Sequence, residues 1–305
     1  MKPAVSIITP TYNRGHLLPR VWQSLRQQTE SHFQWIIVDD GSTDDTRQVV
    51  EDFADPRITY IWQNNTGVNG ARNRGDKEIQ ADYVIYLDSD DELFRESTLQ
   101  EMLTEIQGTR PDIAWVAFTV VDSEGKAHLY HLPADRLETH YLDHVCEQKL
   151  RGEFFAIYRR DATELAAWPP YNGLEALRHW RILKHRSALL INRPARIYHT
   201  QSGDNLTGAH AGIRRAASMA AATEELITDH QSVWLQHCPC QLGKYRFYKA
   251  MYLALSTTGF RAIPDVFLAI WYGDARMKSK TVLLLMVLFL PIKARQWLFL
   301  KRATL

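Results

Sequence analysis

Carboxylate side chains are concentrated in the stretch Asp88-Ser89-Asp90-Asp91-Glu92. Four carboxylates within five residues repel one another unless a cation or solvent offsets their charge. Asp88 and Asp90 can face the same way in an extended chain, and a pair of carboxylates supplies the oxygen ligands that suit Mg²⁺ or Mn²⁺. The stretch therefore indicates a metal site, although a solvated acidic loop has the same composition.

A second acidic stretch, Asp39-Asp40-Gly41-Ser42-Thr43-Asp44-Asp45, contains an Asp-Gly turn followed by hydroxyl side chains. A turn of this kind is common before a helix, where Ser or Thr caps the first turn. A carboxylate in this place can also accept a hydrogen bond from a nucleobase N–H. The stretch is thus compatible with a structural turn and with nucleoside recognition.

Both acidic stretches directly follow short apolar runs, in a part of the chain that alternates strand and helix patterns. The predicted strands are Val5–Thr9, Trp35–Val38, Ile58–Trp62 and Tyr83–Leu87, and the predicted helices are Leu17–Gln28, Thr46–Phe53 and Ala71–Ile79. Strands that are apolar throughout are typical of a parallel sheet covered on both faces, which predicts a doubly wound α/β domain. Ligands of such sheets bind at the carboxyl ends of the strands, so we expect the acidic stretches to converge there.

The first predicted strand runs into Thr9-Pro10-Thr11-Tyr12-Asn13-Arg14, with neither a Gly-x-Gly-x-x-Gly motif nor a Walker-type loop after it. A dinucleotide-binding dehydrogenase is therefore disfavoured. A sugar-phosphate nucleotidylyltransferase also combines an α/β nucleotide site with acidic metal ligands. Such an enzyme normally has a Gly-rich phosphate loop at this position, and this sequence has none.

Four motifs occur in order along the chain: Ser-Ile-Ile-Thr-Pro-Thr-Tyr-Asn-Arg at 6–14, Val-Asp-Asp-Gly-Ser-Thr-Asp at 38–44, Asn-Gly-Ala-Arg-Asn-Arg-Gly at 69–75 and Tyr-Leu-Asp-Ser-Asp-Asp at 86–91. The series closely resembles the family 2 glycosyltransferases, inverting enzymes with a GT-A fold, of the type that builds bacterial surface polysaccharides. The resemblance is dense over residues 1–95, and it thins towards residue 205.

The resemblance implies a nucleotide-diphosphate-sugar donor and assigns a role to each matching residue. Thr9, Pro10 and Tyr12 would line the nucleoside pocket, and Asp39 would bond the base, which we expect to be uracil. Asn69 and Arg72 would approach the nucleotide or its diphosphate. Asp88 and Asp90 would form the Asp-x-Asp motif that binds Mn²⁺ or Mg²⁺, with Asp88 also close to the nucleotide.

An inverting transferase needs a general base that takes the proton of the acceptor hydroxyl. The family usually supplies the base from a Glu-Asp pair just before a helix that carries Trp, Leu and Arg. Matching Arg181 to the family's arginine puts Glu175 on the base position, but Leu174 stands where the partner acid would be. Glu153 and Asp161 are the alternative bases. Glu175 also suits the first turn of a helix for electrostatic reasons alone.

Charge is divided unevenly along a chain whose net charge is only +1. The net charge is −7 over residues 1–110, zero over 111–205 and +8 over 206–305, which suggests different partners for the two ends. Helical periodicity replaces the strand pattern beyond residue 205. We therefore predict a GT-A domain over 1–205, a helical extension over 206–275 and a basic, apolar segment over 276–305.

The run Thr281–Leu290 contains no charged residue, and Pro291 follows it. A membrane-spanning helix needs about 20 apolar residues, so this run is too short to cross a bilayer. Basic residues flank the run on both sides, and the apolar pattern resumes at Trp297-Leu298-Phe299. These features favour a segment that lies in the plane of an anionic membrane surface, although a buried core helix has a similar sequence.

The location expected from the sequence is cytoplasmic, peripheral on the inner face of the plasma membrane. The apolar stretch at residues 4–8 is shorter than that of a secretory signal. Three cysteines are too few for a disulfide framework, which favours a reducing compartment. The basic residues of the last third are not dense enough to predict nucleic-acid binding.

These observations together predict a metal-dependent inverting glycosyltransferase. Its donor would be a UDP-sugar, and its acceptor a saccharide hydroxyl held on a lipid carrier, as in the assembly of surface polysaccharide or lipopolysaccharide. The alternative is a degenerate protein that binds nucleotide, or a membrane-tethered scaffold, without transferase activity.

Overall fold

The computed structural model describes residues 2–126, 134–147, 153–171, 174–199, 209–256 and 259–303. The chain divides into two compact units, of which the first comprises residues 1–144 and 148–202 and the second residues 145–147 and 203–305. The boundary predicted near residue 205 lies outside the described residues.

In the part of the chain that the structure describes, the first unit is built on a sheet of nine strands. In chain order these are β1 (Val5–Thr11), β2 (Phe33–Asp39), β3 (Ile58–Trp62), β4 (Tyr83–Tyr86), β5 (Glu92–Leu93), β6 (Ile113–Asp122), β7 (Arg136–Thr139), β8 (Phe154–Arg159) and β9 (Ser187–Tyr198). Across the sheet the order is β3-β2-β1-β4-β8-β6-β9-β5, and β7 also pairs with β9.

One part of the sheet is entirely parallel, and the other part contains both parallel and antiparallel pairs. Strands β1 to β4 are parallel to one another, and β6 is parallel to β9. Strands β8, β5 and β7 run antiparallel to the strands they pair with. The predicted α/β class with a mostly parallel sheet is confirmed. The sequence pattern does not predict β5 or β7, which are too short and too polar to stand out.

Six α-helices of the first unit lie within the described ranges. They are α1 (Leu18–Arg26), α2 (Thr46–Asp52), α3 (Val68–Asp76), α4 (Thr98–Gln107), α5 (Arg160–Thr163) and α6 (Ala176–Leu183). On one face of β1, Val5 and Ile7 belong to the buried cluster that includes the apolar side chains of α1. On the other face, Ile8 packs so closely against Gly75 of α3 that a Cβ at Gly75 would lie 2.6 Å from the Ile8 Cγ2 atom. Helices therefore cover both faces of the sheet, as predicted.

The start of α3 is fixed to the end of β2 by a buried carboxylate. The Asp40 Oδ1 atom accepts a hydrogen bond from the Thr66 backbone N–H at 2.9 Å, and its Oδ2 atom accepts one from the Gly67 N–H at 2.7 Å. Gly67 has a φ of +83°, which side-chain-bearing residues rarely adopt. These bonds set the position from which α3 carries its polar side chains.

The second unit is helical, as predicted for the C-terminal part of the chain. Its helices are α7 (Ala209–Arg214), α8 (Ala216–His237), α9 (Pro239–Ser256), α10 (Ile263–Tyr272), α11 (Ala275–Val287) and α12 (Ile292–Ala303), with a 3₁₀ turn at Gly259–Ala262. Its core contains Ala250, Ala254, Ala262, Val266 and Leu288. None of the helices in the described ranges is long and apolar enough to span a membrane.

A disulfide joins Cys146 to Cys238 within the second unit, whereas Cys240 is free and exposed. The short segment 145–147 is also held there by hydrogen bonds, because its Val145 carbonyl accepts from the Trp234 Nε1 atom at 3.0 Å. Three cysteines are too few for a disulfide framework, and the sequence does not predict this single pair. Cysteine usage therefore no longer favours a reducing compartment.

Candidate active site

The predicted polar residues lie at the edge where the parallel strands β1, β2 and β4 end. The register pairs Thr11 with Asp39, so the last residues of β1 and β2 are neighbours. On the other side of β1, Ile8 pairs with Tyr86, and the acidic stretch begins two residues after Tyr86, at Asp88. The two acidic stretches therefore leave the sheet at the same edge.

Asp39 is buried and already has partners within the protein. Its Oδ1 atom accepts from the Ser42 backbone N–H at 2.8 Å, and its Oδ2 atom accepts from the Tyr60 hydroxyl at 2.6 Å. Burial, together with this hydrogen bond to Asp39, raises the pKa of Tyr60 well above its ordinary value. Each carboxylate oxygen has a second lone pair, so Asp39 is able to accept one more N–H.

The three residues predicted to line the nucleoside pocket differ in exposure. Thr9 is buried, and its hydroxyl accepts a hydrogen bond from the Trp35 Nε1 atom at 2.9 Å, so this side chain faces the core. Pro10 is also buried, whereas Tyr12 is 49% exposed. Of the three, Tyr12 is the one whose side chain is open to a ligand.

Arginine side chains neutralise the acidic stretch after β4. The Arg72 Nη2 atom donates to the Asp88 Oδ1 atom at 3.0 Å, and the Arg14 Nη1 atom donates to the Asp90 Oδ2 atom at 2.9 Å. A third arginine, Arg196 of β9, lies 3.0 Å from the Asp91 Oδ2 atom. The sequence indicates that these carboxylates need a cation, but it does not predict that the chain itself supplies three.

Burial and the neighbouring arginines act in opposite directions on the pKa values of this stretch. Burial tends to raise the pKa of Asp88, but Arg72 and Arg196 outweigh it and hold that pKa below the ordinary range. Asp91 is fully buried, and burial raises its pKa despite the nearby Arg196. Asp88 is thus an ionised acceptor at neutral pH.

Asp88 and Asp90 fit a divalent metal by their donor chemistry. In the described ranges no three Asp, Glu, His or Cys side chains are grouped closely enough to hold a metal ion. Mg²⁺, however, is commonly held by one or two carboxylates and takes its remaining ligands from water and substrate phosphates. The Asp88 and Asp90 side chains are 36% and 13% exposed, so both are accessible from the strand edge.

Arg72 connects the acidic stretch to the predicted base. Its Nη1 atom donates to the Glu175 Oε1 atom at 2.6 Å, while its Nη2 atom holds Asp88. The guanidinium stacks on the Trp168 ring at 4.6 Å from the ring centre. Burial tends to lower the pKa of Arg72, but the carboxylates of Asp88 and Glu175 outweigh it and raise the pKa further. Arg72 is therefore a permanent cation between two carboxylates.

Other side chains of α3 hold the segment that precedes Glu175. The Asn69 Nδ2 atom donates to the Tyr171 carbonyl at 2.7 Å. The Asn73 side chain bonds both backbone groups of Trp168: its Oδ1 atom accepts from the N–H at 2.8 Å, and its Nδ2 atom donates to the carbonyl at 2.9 Å. Helix α3 is thus the element that brings the predicted donor site and Glu175 together.

The three candidate bases lie in different places. Glu175 directly precedes α6, and its side chain is 49% exposed. Glu153 precedes β8, and its Oε2 atom accepts from the Arg196 Nη2 atom at 2.9 Å, so it is also near the acidic stretch. Asp161 follows β8, which is antiparallel to β4, and it therefore lies at the edge where β4 begins. Its position at the opposite edge removes Asp161 from the candidates.

Sequence reasoning missed several residues that shape this site. The roles of Arg14, Trp168 and Arg196 depend on contacts with residues distant in sequence. No local pattern singles out Arg196, because its strand also contains Asn192 and Arg193. Directly after β9, the His199 Nε2 atom forms a 2.7 Å contact with the Glu92 Oε1 atom.

The chain is similar in sequence to a known protein family and to several of its members. The model of the family described as "Glycosyl transferase family 2" matches residues 6–165. The GalNAc(5)-diNAcBac-PP-undecaprenol beta-1,3-glucosyltransferase of Campylobacter jejuni is 30% identical over 215 residues, which are 67% of this chain and 67% of that protein. The chain spans about half the length of several other curated relatives that it matches.

Solved structures with the same fold include two complexes. S. aureus TarS 1–349 in complex with UDP has a TM-score of 0.56 and 16% identity, and the match covers 88% of each chain. The mannosyltransferase PcManGT from Pyrobaculum calidifontis, in complex with GDP-Man and Mn²⁺, has a TM-score of 0.56 and 16% identity, covering 100% of this chain and 86% of its own. At this level of identity the likeness concerns the fold alone.

Replacing Arg72 with Met should destabilise the first unit, because it removes two charged hydrogen bonds and the stacking on Trp168. We expect a loss of about 1–3 kcal/mol at neutral pH, since both carboxylates are partly exposed and their attraction is screened. Arg74→Met is the matched control on the same helix, and its surface pair with Glu78 predicts a loss below about 0.5 kcal/mol. Urea unfolding measures both.

The pH dependence of this difference has a defined sign. The folded-state pKa of Asp88 is depressed, so its ion pair stabilises the fold above the unfolded-state pKa of about 3.9 and is lost as the pH falls through the folded-state value. The gap between wild type and Arg72→Met should therefore narrow below about pH 4. Equal stabilities of Arg72→Met and Arg74→Met, or a gap independent of pH, would contradict this account.

Proposed function

The chain belongs to glycosyl transferase family 2 and has the GT-A fold, and from this premise we propose that it moves a sugar from a UDP-sugar to a hydroxyl of a saccharide acceptor, with inversion at the anomeric carbon. The observation that carries the proposal is the buried Arg72 guanidinium, which bonds Asp88 and Glu175 together. One cation thereby links the carboxylate assigned to the donor with the carboxylate assigned to the acceptor.

The donor occupies the edge where β1, β2 and β4 end. We assign the nucleoside to the surroundings of Thr9, Pro10 and Tyr12, with Asp39 accepting an N–H of the base. The adjacency of Thr11 and Asp39 supports this assignment, because it joins the two strand ends involved. The TarS complex with UDP supports a uridine nucleotide as the donor.

The diphosphate lies next to Asn69, Arg72 and the acidic stretch, with Asp88 and Asp90 as ligands of Mn²⁺ or Mg²⁺. When bound, such an ion offsets the negative charge that develops on a diphosphate leaving group. Arg72 provides a fixed positive charge beside Asp88, and Arg14 is positioned to hold Asp90. The PcManGT complex with Mn²⁺ supports a metal on this fold.

Glu175 is the general base of the proposed reaction. Its carboxylate takes the proton of the acceptor hydroxyl, the acceptor oxygen attacks the anomeric carbon, and the bond from that carbon to the diphosphate breaks, so that UDP leaves. The exposed Glu175 side chain and its bond to Arg72 support this role, because together they keep the carboxylate open to an acceptor and fixed in direction. Glu153 is the alternative base.

We further propose that the acceptor saccharide is carried on a lipid and that the enzyme works at the inner face of the plasma membrane, within surface-polysaccharide or lipopolysaccharide assembly. The Campylobacter jejuni relative is a glucosyltransferase whose name specifies an undecaprenol-linked glycan, which supports this class of acceptor. The basic C-terminal segment supports the location.

Replacing Asp90 with Ala should abolish most turnover, because the variant loses a metal ligand at the leaving group. With Mn²⁺ and a UDP-sugar, release of UDP should fall about 10²–10³-fold, the usual effect of removing one group that stabilises transition-state charge. Asp161→Asn at the opposite edge of the sheet is the control and should keep wild-type turnover. Unchanged UDP affinity and turnover in Asp90→Ala would overturn the metal assignment.

Replacing Glu175 with Gln tests the base separately from the donor site. Gln keeps an oxygen that accepts from Arg72 but takes no proton, so kcat should fall about 10²–10⁴-fold while UDP affinity stays near that of wild type. The contrary result is full turnover in Glu175→Gln together with a loss in Glu153→Gln, which would make Glu153 the base.

If the wild-type chain binds UDP but uses no donor in a screen of UDP-, GDP- and dTDP-sugars, the chain is a nucleotide-binding protein without transferase activity.

A further inference from the structure

Large aromatic side chains of the second unit are exposed on the 3₁₀ turn Gly259–Ala262 and on α10. Phe260 is 70% exposed, Phe267 is 61% exposed and Trp271 is 79% exposed. Phe267 and Trp271 are four residues apart on α10 and therefore lie on one side of that helix, and Phe260 lies on the turn that precedes it. Three large exposed aromatic side chains within twelve residues are a feature of an interaction surface rather than of an ordinary protein surface.

Helix α11 is apolar on two opposite sides. Its inner side carries Thr281, Leu284, Leu285 and Leu288, which are buried or pack against the core of the second unit. Its outer side and the following turn carry the exposed side chains of Val282, Leu283, Met286, Phe289 and Leu290. A helix that buries one apolar side and leaves another exposed lacks a partner for the second.

The two exposed regions are continuous. The rings of Phe260 and Phe289 are in edge contact, with centroids 6.2 Å apart. Phe267 and Trp271 of α10 line one groove together with Lys278 of α11. We refer to the exposed apolar side chains of residues 260–290 as the aromatic face.

Positive charge surrounds the aromatic face. Arg261, Arg276, Lys278, Lys280 and Lys293 are all exposed. The two acidic residues between 259 and 303 do not balance them: Asp265 is buried and paired with Arg246 and Lys249, and the Asp274 side chain caps α11 through the Met277 N–H. An apolar surface with a cationic margin is complementary to a bilayer that contains anionic lipid.

We infer that the aromatic face lies in the plane of an anionic phospholipid surface, with Phe260, Phe267, Trp271 and Phe289 inserted among the lipids and the basic side chains at the headgroups. The surface differs from the segment expected from the sequence, because it begins before residue 276 and includes α10. It gives the proposed membrane location a set of contacting residues, and in that respect the inference rests on the proposed function.

A vesicle-binding experiment with the full chain tests the surface. The probe is a vesicle of phosphatidylglycerol and phosphatidylcholine in equal parts, compared with pure phosphatidylcholine. The double variant Phe267→Ser, Trp271→Ser should bind the anionic vesicles at least about tenfold more weakly, because two large apolar side chains no longer leave water. Leu235→Ser is the matched control, since Leu235 is an exposed apolar residue of α8 in the same unit.

Charge and insertion are measured separately. Lys278→Gln with Lys280→Gln should weaken binding to the anionic vesicles about fivefold per charge and leave binding to neutral vesicles unchanged. Brominated acyl chains should quench tryptophan fluorescence of the wild-type chain, and Trp271→Phe should lose much of that quenching. Circular dichroism checks that every variant is folded.

Two results would overturn the inference. One is binding of the double serine variant to anionic vesicles as tight as that of wild type and Leu235→Ser. The other is a wild-type chain that does not bind the vesicles but self-associates through the aromatic face. Sedimentation velocity would then show a dimer for the wild-type chain and a monomer for the double variant. UDP affinity, measured in parallel, should be equal in wild type and variant. A chain that fails to bind UDP but binds vesicles refutes the proposed function and leaves this surface standing.

Discussion

The candidate site depends on the contacts that the buried guanidinium of Arg72 makes. It stacks on Trp168 and bonds two carboxylates, Asp88 after β4 and Glu175 before α6. A buried cation requires compensating charge, and each carboxylate in turn is fixed in direction by the shared guanidinium. The helix that carries Arg72 is itself held at its start by Asp40. Asp40, at the end of β2, thus positions α3, and Arg72 of α3 in turn positions Glu175, the proposed base.

The carboxylates after β4 form a network of ion pairs with arginines of the same chain. Arg14 and Arg196 hold Asp90 and Asp91 in addition to the contact between Arg72 and Asp88. Such a network keeps the carboxylates ordered where a metal and a diphosphate would join them. Within it, Arg72 and Arg196 hold the pKa of Asp88 below the ordinary range, whereas burial raises the pKa of Asp91. The aromatic face of the second unit differs from this network, because its apolar side chains and the basic residues around it are exposed. We therefore expect its partner to lie outside the chain.

Periodicity and strand-end clustering are local signals, and they sufficed for the α/β class, for β1 to β4 and for the edge of the sheet at which Asp39, Asp88 and Asp90 lie. The remaining features depend on contacts that sequence spacing does not encode. Arg72 and Glu175 are separated by 103 residues, and the two disulfide-bonded cysteines by 92. The short strands β5 and β7 exist because β9 offers them a pairing partner, not because of their own composition. The sequence of residues 281–290 is compatible with a core helix and with a membrane-surface segment. Both interpretations fit because one side of α11 packs in the core of the second unit and the other side is exposed.

The central claim is that one edge of the sheet binds a nucleotide, with Asp88 and Asp90 at its diphosphate. The most direct measurement is a crystal structure of the chain grown with UDP and Mn²⁺. The account predicts uracil beside the ends of β1 and β2, and a diphosphate next to Arg72 that shares the metal with Asp90. A nucleotide bound elsewhere, with no metal at Asp88 and Asp90, would contradict it.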